Sequence, residues 1–211
     1  MQKLFKGVGW TLAILAVIVL GLRALVVDVW TLPEDPVIGA SVAPTLAGGD
    51  VVLVLTRGTP TFGELARCPD PDTPGGYVIG RIAGVPGDVV ETDGISLVVN
   101  GENYTSESAC PEPKLFIQHP SSGKEVEIGC DVVAMGGGRH FRGTSPRGPL
   151  ERKLRHEVRP GTVFLVSDNR NFHDDSRDFG SQPRDTCKRI VFRFWGKGGW
   201  ADESSRMSYI R

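Results

Sequence analysis

This 211-residue chain has no excess charge of either sign: 24 Lys and Arg stand against 25 Asp and Glu, a formal net charge of −1. Phosphate binding relies on clustered, uncompensated cations, so no nucleic-acid partner is expected and any basic effect must be local. Metal-ligand spacing is also missing. Cys68, Cys110, Cys130 and Cys187 form no CxxC and no close Cys/His pattern, which argues against a structural zinc site. The chain has no internal repeats, no heptads and no glycine-rich phosphate loop, so no cofactor and no metal are expected. The even cysteine count suits disulfides in an oxidising compartment, and Cys110 with Cys130 can close a loop. Four cysteines allow three pairings, and buried free thiols are the alternative.

What the chain does have is one long apolar run. Residues 7–27, GVGWTLAILAVIVLGLRALVV, carry a single charge, Arg23, near the far end, with Lys3 and Lys6 ahead. About 20 residues at 1.5 Å rise cover a hydrocarbon core of about 30 Å, and Arg23 is close enough to the end to snorkel. No A-x-A cleavage site follows, so the run reads as an uncleaved anchor rather than a secretory signal. The lysines place residues 1–6 in the cytoplasm and the remainder on the extracytoplasmic side, next to the lipid bilayer.

Beyond the anchor the patterning is β-dominated. Residues 29–46, VWTLPEDPVIGASVAPTL, hold three prolines and no helical period, which predicts an extended or turning entry segment. Val51 to Leu55, Tyr77 to Ala83 and Thr162 to Ser167 read as strands, and Lys188 to Trp195 alternates like a half-exposed one. Val89 to Glu91 and Leu97 to Val99 flank Asp93-Gly94, a hairpin signal. Residues 56–76 read as a loop. Residues 102–160, rich in Pro, Ser and Gly and ending in the basic stretch RHFRGTSPRGPLERKLRHEVRP, read as an inserted, partly β lobe whose basic face is solvated or touches anionic headgroups. The principal domain then comprises 28–101 and 161–211.

Three segments carry the chemistry: GASVAPTL at 39–46, GRIAGVPGD at 80–88 and SDNRNFHDDSRDFG at 167–180. Their order, spacing and position behind an N-terminal anchor resemble the type I signal peptidases. With Gly49-Asp50 and the closing strand, the resemblance covers most of the chain outside the middle lobe. It implies a largely antiparallel β-sheet peptidase domain with an apolar surface against the bilayer. It also implies exported preproteins, with small residues just before the cut, as substrates. Ser41 falls on the family's nucleophile. A serine hydroxyl needs a base within reach, and backbone N–H groups near Gly39 and Ser41 are natural oxyanion donors. The protein is expected to act as a monomer.

Two positions depart from the family pattern. The family's general-base lysine falls on Gly80, and Arg81 cannot replace it because a guanidinium stays protonated. The family's lysine-orienting serine falls on His173. An imidazole from 173 would then approach Ser41 in the room left by the amine, with Asp175, or failing it Asp174, setting its tautomer. Asp168, Asn169, Arg170 and Arg177 read as framework, with Arg177 paired to Asp175 or Asp168. His119, His140 and His156 have no motif around them. The readings left open are an active endopeptidase, a non-catalytic relative that binds signal sequences or a partner, and a specialised maturation peptidase of a secretion or conjugation system.

Overall fold

The computed structural model describes residues 2–145 and 153–210, with side chains described outside 2–9, 22 and 24. Part of the basic stretch, 146–152, lies outside the described residues.

Helix α1 spans Gln2–Leu25 and ends with Arg23 in its last turn, where a cation complements the helix dipole. Its described apolar side chains, from Trp10 to Leu20, are exposed. Among the described residues no helix is long and apolar enough to cross a membrane.

The strands that follow are β1 (Val27–Thr31), β2 (Val51–Leu55), β3 (Leu65–Pro69), β4 (Tyr77–Gly84), β5 (Val89–Asp93), β6 (Ser96–Val99) and β7 (Glu102–Asn103). The middle of the chain supplies β8 (Ser106–Gln118), β9 (Glu125–Met135), β10 (Gly138–Thr144) and β11 (Leu154–Glu157). The chain closes with β12 (Thr162–Val166), β13 (Gln182–Pro183), β14 (Lys188–Trp195) and β15 (Ser208–Tyr209), with a short helix α3 (Ser176–Phe179) between β12 and β13. The fold is mainly antiparallel β. Eight strands form the main sheet in the order β1-β2-β14-β3-β4-β12-β13, with β15 on β14. A three-stranded sheet β10-β9-β8 and a four-stranded sheet β11-β5-β6-β7 complete it. Two short strands of the middle segment, β7 and β11, thus pair with β6 and β5 outside it.

Burial follows the strand period. Val52 and Val54 of β2 point into a core with Leu32, Leu65, Ile79 and Ile190, while their neighbours are half-buried. Each such side chain contributes about 1.5–3 kcal/mol. Strand β4 is central and buried on both faces: Ile79 enters that core, and Val78 and Ile82 enter a second with Val163 and Leu165. In β14 only Ile190 is fully buried, and its other residues are half-buried.

Two segments differ from the reading of their sequence. The entry segment is not simply extended: it contains strand β1, whose Val27 pairs with Leu55, and a second helix, α2, over Pro36–Val42. Asp35 caps α2, its carboxylate accepting from Val37 N at 2.8 Å and Ile38 N at 3.0 Å, and Pro36 occupies the first helical turn, where a missing N–H costs nothing. Seven residues are too few to show a period, so the cap was the available signal. Within 56–76, LARCP forms β3 because β4 and β14 pair with it on either side.

All four cysteines are paired, Cys68 with Cys187 and Cys110 with Cys130. The first staples β3 to the start of β14 across 119 residues of sequence and is fully buried. Closing so long a loop restricts the unfolded chain, so replacing both cysteines by serine is expected to cost about 4–5 kcal/mol in denaturant unfolding. The equivalent change at Cys110 and Cys130, which closes a shorter loop, should cost about 3 kcal/mol. Equal midpoints for the first variant and the parent would contradict a structural role for that staple.

Candidate active site

Ser41 occupies the last turn of α2 and is 1% exposed, with Oγ donating to Ile38 O at 3.0 Å. Its own carbonyl accepts from Asn169 N at 3.0 Å, which ties α2 to the loop after β12. Strand β10 closes the third side. Gly143 N donates to Asp168 O and Gly143 O accepts from Arg170 N, both at 2.9 Å. A Cβ on Gly143 would stand 3.0 Å from Ala43 O and 3.3 Å from Asn169 Cα, so any side chain there requires these backbones to give by a few tenths of an ångström.

Beneath them lies a buried ion pair. Arg81 Nε donates to Asp168 Oδ1 at 2.8 Å and Nη2 to Oδ2 at 3.3 Å, while Thr45 Oγ1 donates to Asp168 Oδ2. Burial alone would raise the Asp168 carboxyl, but the Arg81 charge, with help from His140 and Thr45, holds it below the usual range. Asp168 therefore joins Thr45 of the first segment, Arg81 of the second and its own third segment into one network. A neighbouring pair orders the loop: Arg177 Nη2 donates to Asp175 Oδ2 at 2.8 Å, and Ser167 N to the same oxygen at 2.7 Å. These donors outweigh burial and hold the Asp175 carboxyl down at about 2. Of the two partners expected for Arg177, the structure selects Asp175, because Asp168 is taken by Arg81.

His173 Nδ1 lies 2.7 Å from Asp178 Oδ2, and no hydrogen bond joins His173 to Ser41 among the described residues. The imidazole is thus paired with Asp178 rather than with Asp175, whose oxygens are occupied by Arg177 and Ser167 N. Asp174, the other carboxylate considered, is half-buried and pushed up to about 6 by burial and by Asp70, Asp178 and Asp175. Gly39 N–H already donates to Asp35 O at 2.8 Å within α2.

The signal peptidase, peptidase S26 family matches residues 7–195, nearly the whole of the region just described. The chain belongs to the peptidase S26 family. A Signal peptidase I from Pseudomonas fluorescens is 27% identical over 189 residues, covering 76% of this chain. The chain spans 58% of the length of that relative.

Within this S26 member, Gly80 is packed rather than vacant. A Cβ there would lie 3.1 Å from Val166 O and 3.3 Å from Leu165 Cβ, so any side chain requires β12 to give by a few tenths of an ångström. Arg170 is fully buried; its Nη1 donates to Ser167 O, its Nε has no partner, and burial with the Arg177 charge pulls its pKa down to about 9. His173, Asp175 and Asp178 bring three ligand-type atoms within 4.8 Å of one another. Asp175 offers a cation little, however, because its lone pairs are engaged by Arg177.

Two residues were not singled out from the sequence. Asp178 lies in the third segment, three residues beyond Asp175, and its spacing as the capping-box partner of that residue was the readable signal. His140 carried no signal: β10 brings it to the ion pair, with Nε2 3.9 Å from Asp168 Oδ1 and no hydrogen-bond partner. Of the other histidines, His119 stacks edge-on against Phe172 at 5.2 Å and His156 Nε2 lies 2.7 Å from Ser181 Oγ.

Proposed function

We propose that this protein is a serine endopeptidase that removes signal peptides from exported preproteins, with Ser41 as nucleophile and His173 as general base. The observation that supports it is the convergence of the three segments on Ser41 through Asn169, Asp168, Arg81 and Thr45. The reading continues with residues 7–27 as a membrane anchor, residues 1–6 in the cytoplasm and the β domain outside it. Exposed apolar side chains on α1 and two disulfides support that placement.

For acyl transfer, Ser41 Oγ must leave Ile38 O and pass its proton to an imidazole as it attacks the scissile carbonyl. With Nδ1–H donated to Asp178, the basic lone pair of His173 is on Nε2, the nitrogen suited to that task. The protonated ring then returns the proton to the leaving amine, and a water releases the acyl group by the same route. No hydrogen bond joins the two among the described residues, so His173 and Ser41 must come together for that transfer.

A second reading is favoured by Gly80 and by the bond from Ser41 to Ile38: a relative that binds signal sequences without cutting them. One experiment separates the two. Cleavage of a model preprotein by the detergent-solubilised full-length protein is followed from about pH 5 to 10, a range covering imidazole and amine titration. The proposal expects activity rising through a limb at about pH 6–7 that disappears in His173→Ala. Saturable peptide binding with no cleavage at any pH would establish the second reading instead.

A further inference from the structure

The two disulfides stand in different surroundings. Cys68 and Cys187 are 0% exposed within the main sheet, whereas Cys110 and Cys130 are 7% and 6% exposed, beside a bulge of β8, the edge strand of the three-stranded sheet. The β8–β9 register runs from Ala109 opposite Asp131 to Lys114 opposite Gly129, so residues 110–113, CPEP, stand against the single residue Cys130. Pro111 and Pro113 have no N–H to give to a ladder, and residues 111–113 are exposed. A covalent bond holds the bulge where strand pairing does not.

Cys130 leads directly to the candidate site. It is in register with Gly143 of β10, whose N–H donates to Asp168 O and whose carbonyl accepts from Arg170 N, both at 2.9 Å. Between those two residues, Asn169 N donates to Ser41 O at 3.0 Å. Arg142 Nη2 donates to Asp131 Oδ2 at 2.6 Å and keeps β10 on β9, so a displacement of β9 reaches Gly143. Past the bulge, β8 continues to Phe116 and Ile117, which share a groove with Gly39 and Ala40 of α2. The disulfide thus joins β8, which faces α2, to β9, which carries β10 and Gly143.

We propose that Cys110–Cys130 is a redox switch on the geometry around Ser41, opened by a dithiol reductant. A thiolate of the dithiol attacks one Sγ to form a mixed disulfide, and its second thiolate displaces that sulfur. The dithiol leaves as its own disulfide, and its two electrons and two protons end on the Cys110 and Cys130 thiols. With the bond open, the bulge has no tie to β9, and β9–β10 loosens against residues 168–170. Cys68–Cys187, shut off from solvent, keeps β3 on β14 throughout. The switch acts on where Ser41 is held and exists whether or not Ser41 cuts peptides.

The test treats the detergent-solubilised full-length protein with dithiothreitol under native conditions, then reads thiol alkylation by mass spectrometry and amide hydrogen exchange residue by residue. Alkylation is expected at Cys110 and Cys130 while Cys68 and Cys187 stay joined. Exchange at the amides of Gly143, Asn169 and Arg170 should then quicken by about tenfold or more, with the amides of β4 unchanged, and reoxidation should restore the slow rate. Combined Cys110→Ser and Cys130→Ser replacement should exchange like the reduced protein and ignore the dithiol. The proposal is overturned if Cys110–Cys130 resists the dithiol or opens only together with Cys68–Cys187. It is equally overturned if the three amides keep their rates after reduction, or if β4 quickens as much as they do. Because the readout is local exchange, an inactive Ser41 would leave it unaffected.

Discussion

Ser41→Ala is expected to lower cleavage of a model preprotein by about 10⁵- to 10⁶-fold while leaving the fold in place. The change removes one oxygen from a side chain that is 1% exposed and whose hydroxyl makes one bond, to Ile38 O at 3.0 Å. Losing that bond costs about 0.5–1.5 kcal/mol, small against a total of about 5–15 kcal/mol. The backbone bond from Asn169 N to Ser41 O does not depend on the side chain and persists. Activity and stability should therefore separate, which single-turnover cleavage and a thermal melt on the same preparation would show. Retained cleavage would move the nucleophile elsewhere, and the pairing of His156 with Ser181 at 2.7 Å would be the next place to look.

Asp168→Ala, unlike Ser41→Ala, should destabilise the domain, by about 3–5 kcal/mol. The loss would strand the Arg81 guanidinium, 1% exposed, and remove the partner of Thr45. Since both side chains also anchor the loops on either side of Ser41, a lower denaturation midpoint should come with loss of activity. A midpoint within about 0.5 kcal/mol of the parent would show that the pair carries no net weight. The same network predicts acid sensitivity. Asp168 and Asp175 are both held below an unfolded value of about 3.9, so their contribution is complete above about pH 5 and is lost as pH falls through their folded values, about 2 for Asp175. Unfolding midpoints measured between about pH 2 and 7 should fall steeply at the acid end.

Much of the β framework was legible because it rests on local pattern. The β-branched run at Val51–Leu55 and the alternation at Lys188–Trp195 are strands with those bounds, and Asp93-Gly94 turns the β5–β6 hairpin. These segments bury one face or two, and the period of the side chains records that directly. Strand β3 was hidden, since LARCP has no alternation and lies among loop-forming residues. It is a strand because β4 and β14 supply partners for its backbone. Helix α2 was hidden by its length and by its prolines, one of which is in fact its first residue.

The sequence by itself determined the family, through three short segments whose residue types and order are too specific to arise from composition. It also determined the β class, and it set the expectations placed on Ser41, Gly80 and His173. Only the tertiary structure decided which charged groups meet. Asp168 took Arg81 and Asp175 took Arg177, because burial leaves a carboxylate stable only where a cation and further hydrogen-bond donors reach it together, while the more exposed Asp178 took His173. It also decided that His140, remote in sequence, stands against that network, since strand pairing sets three-dimensional neighbours without regard to their separation along the chain.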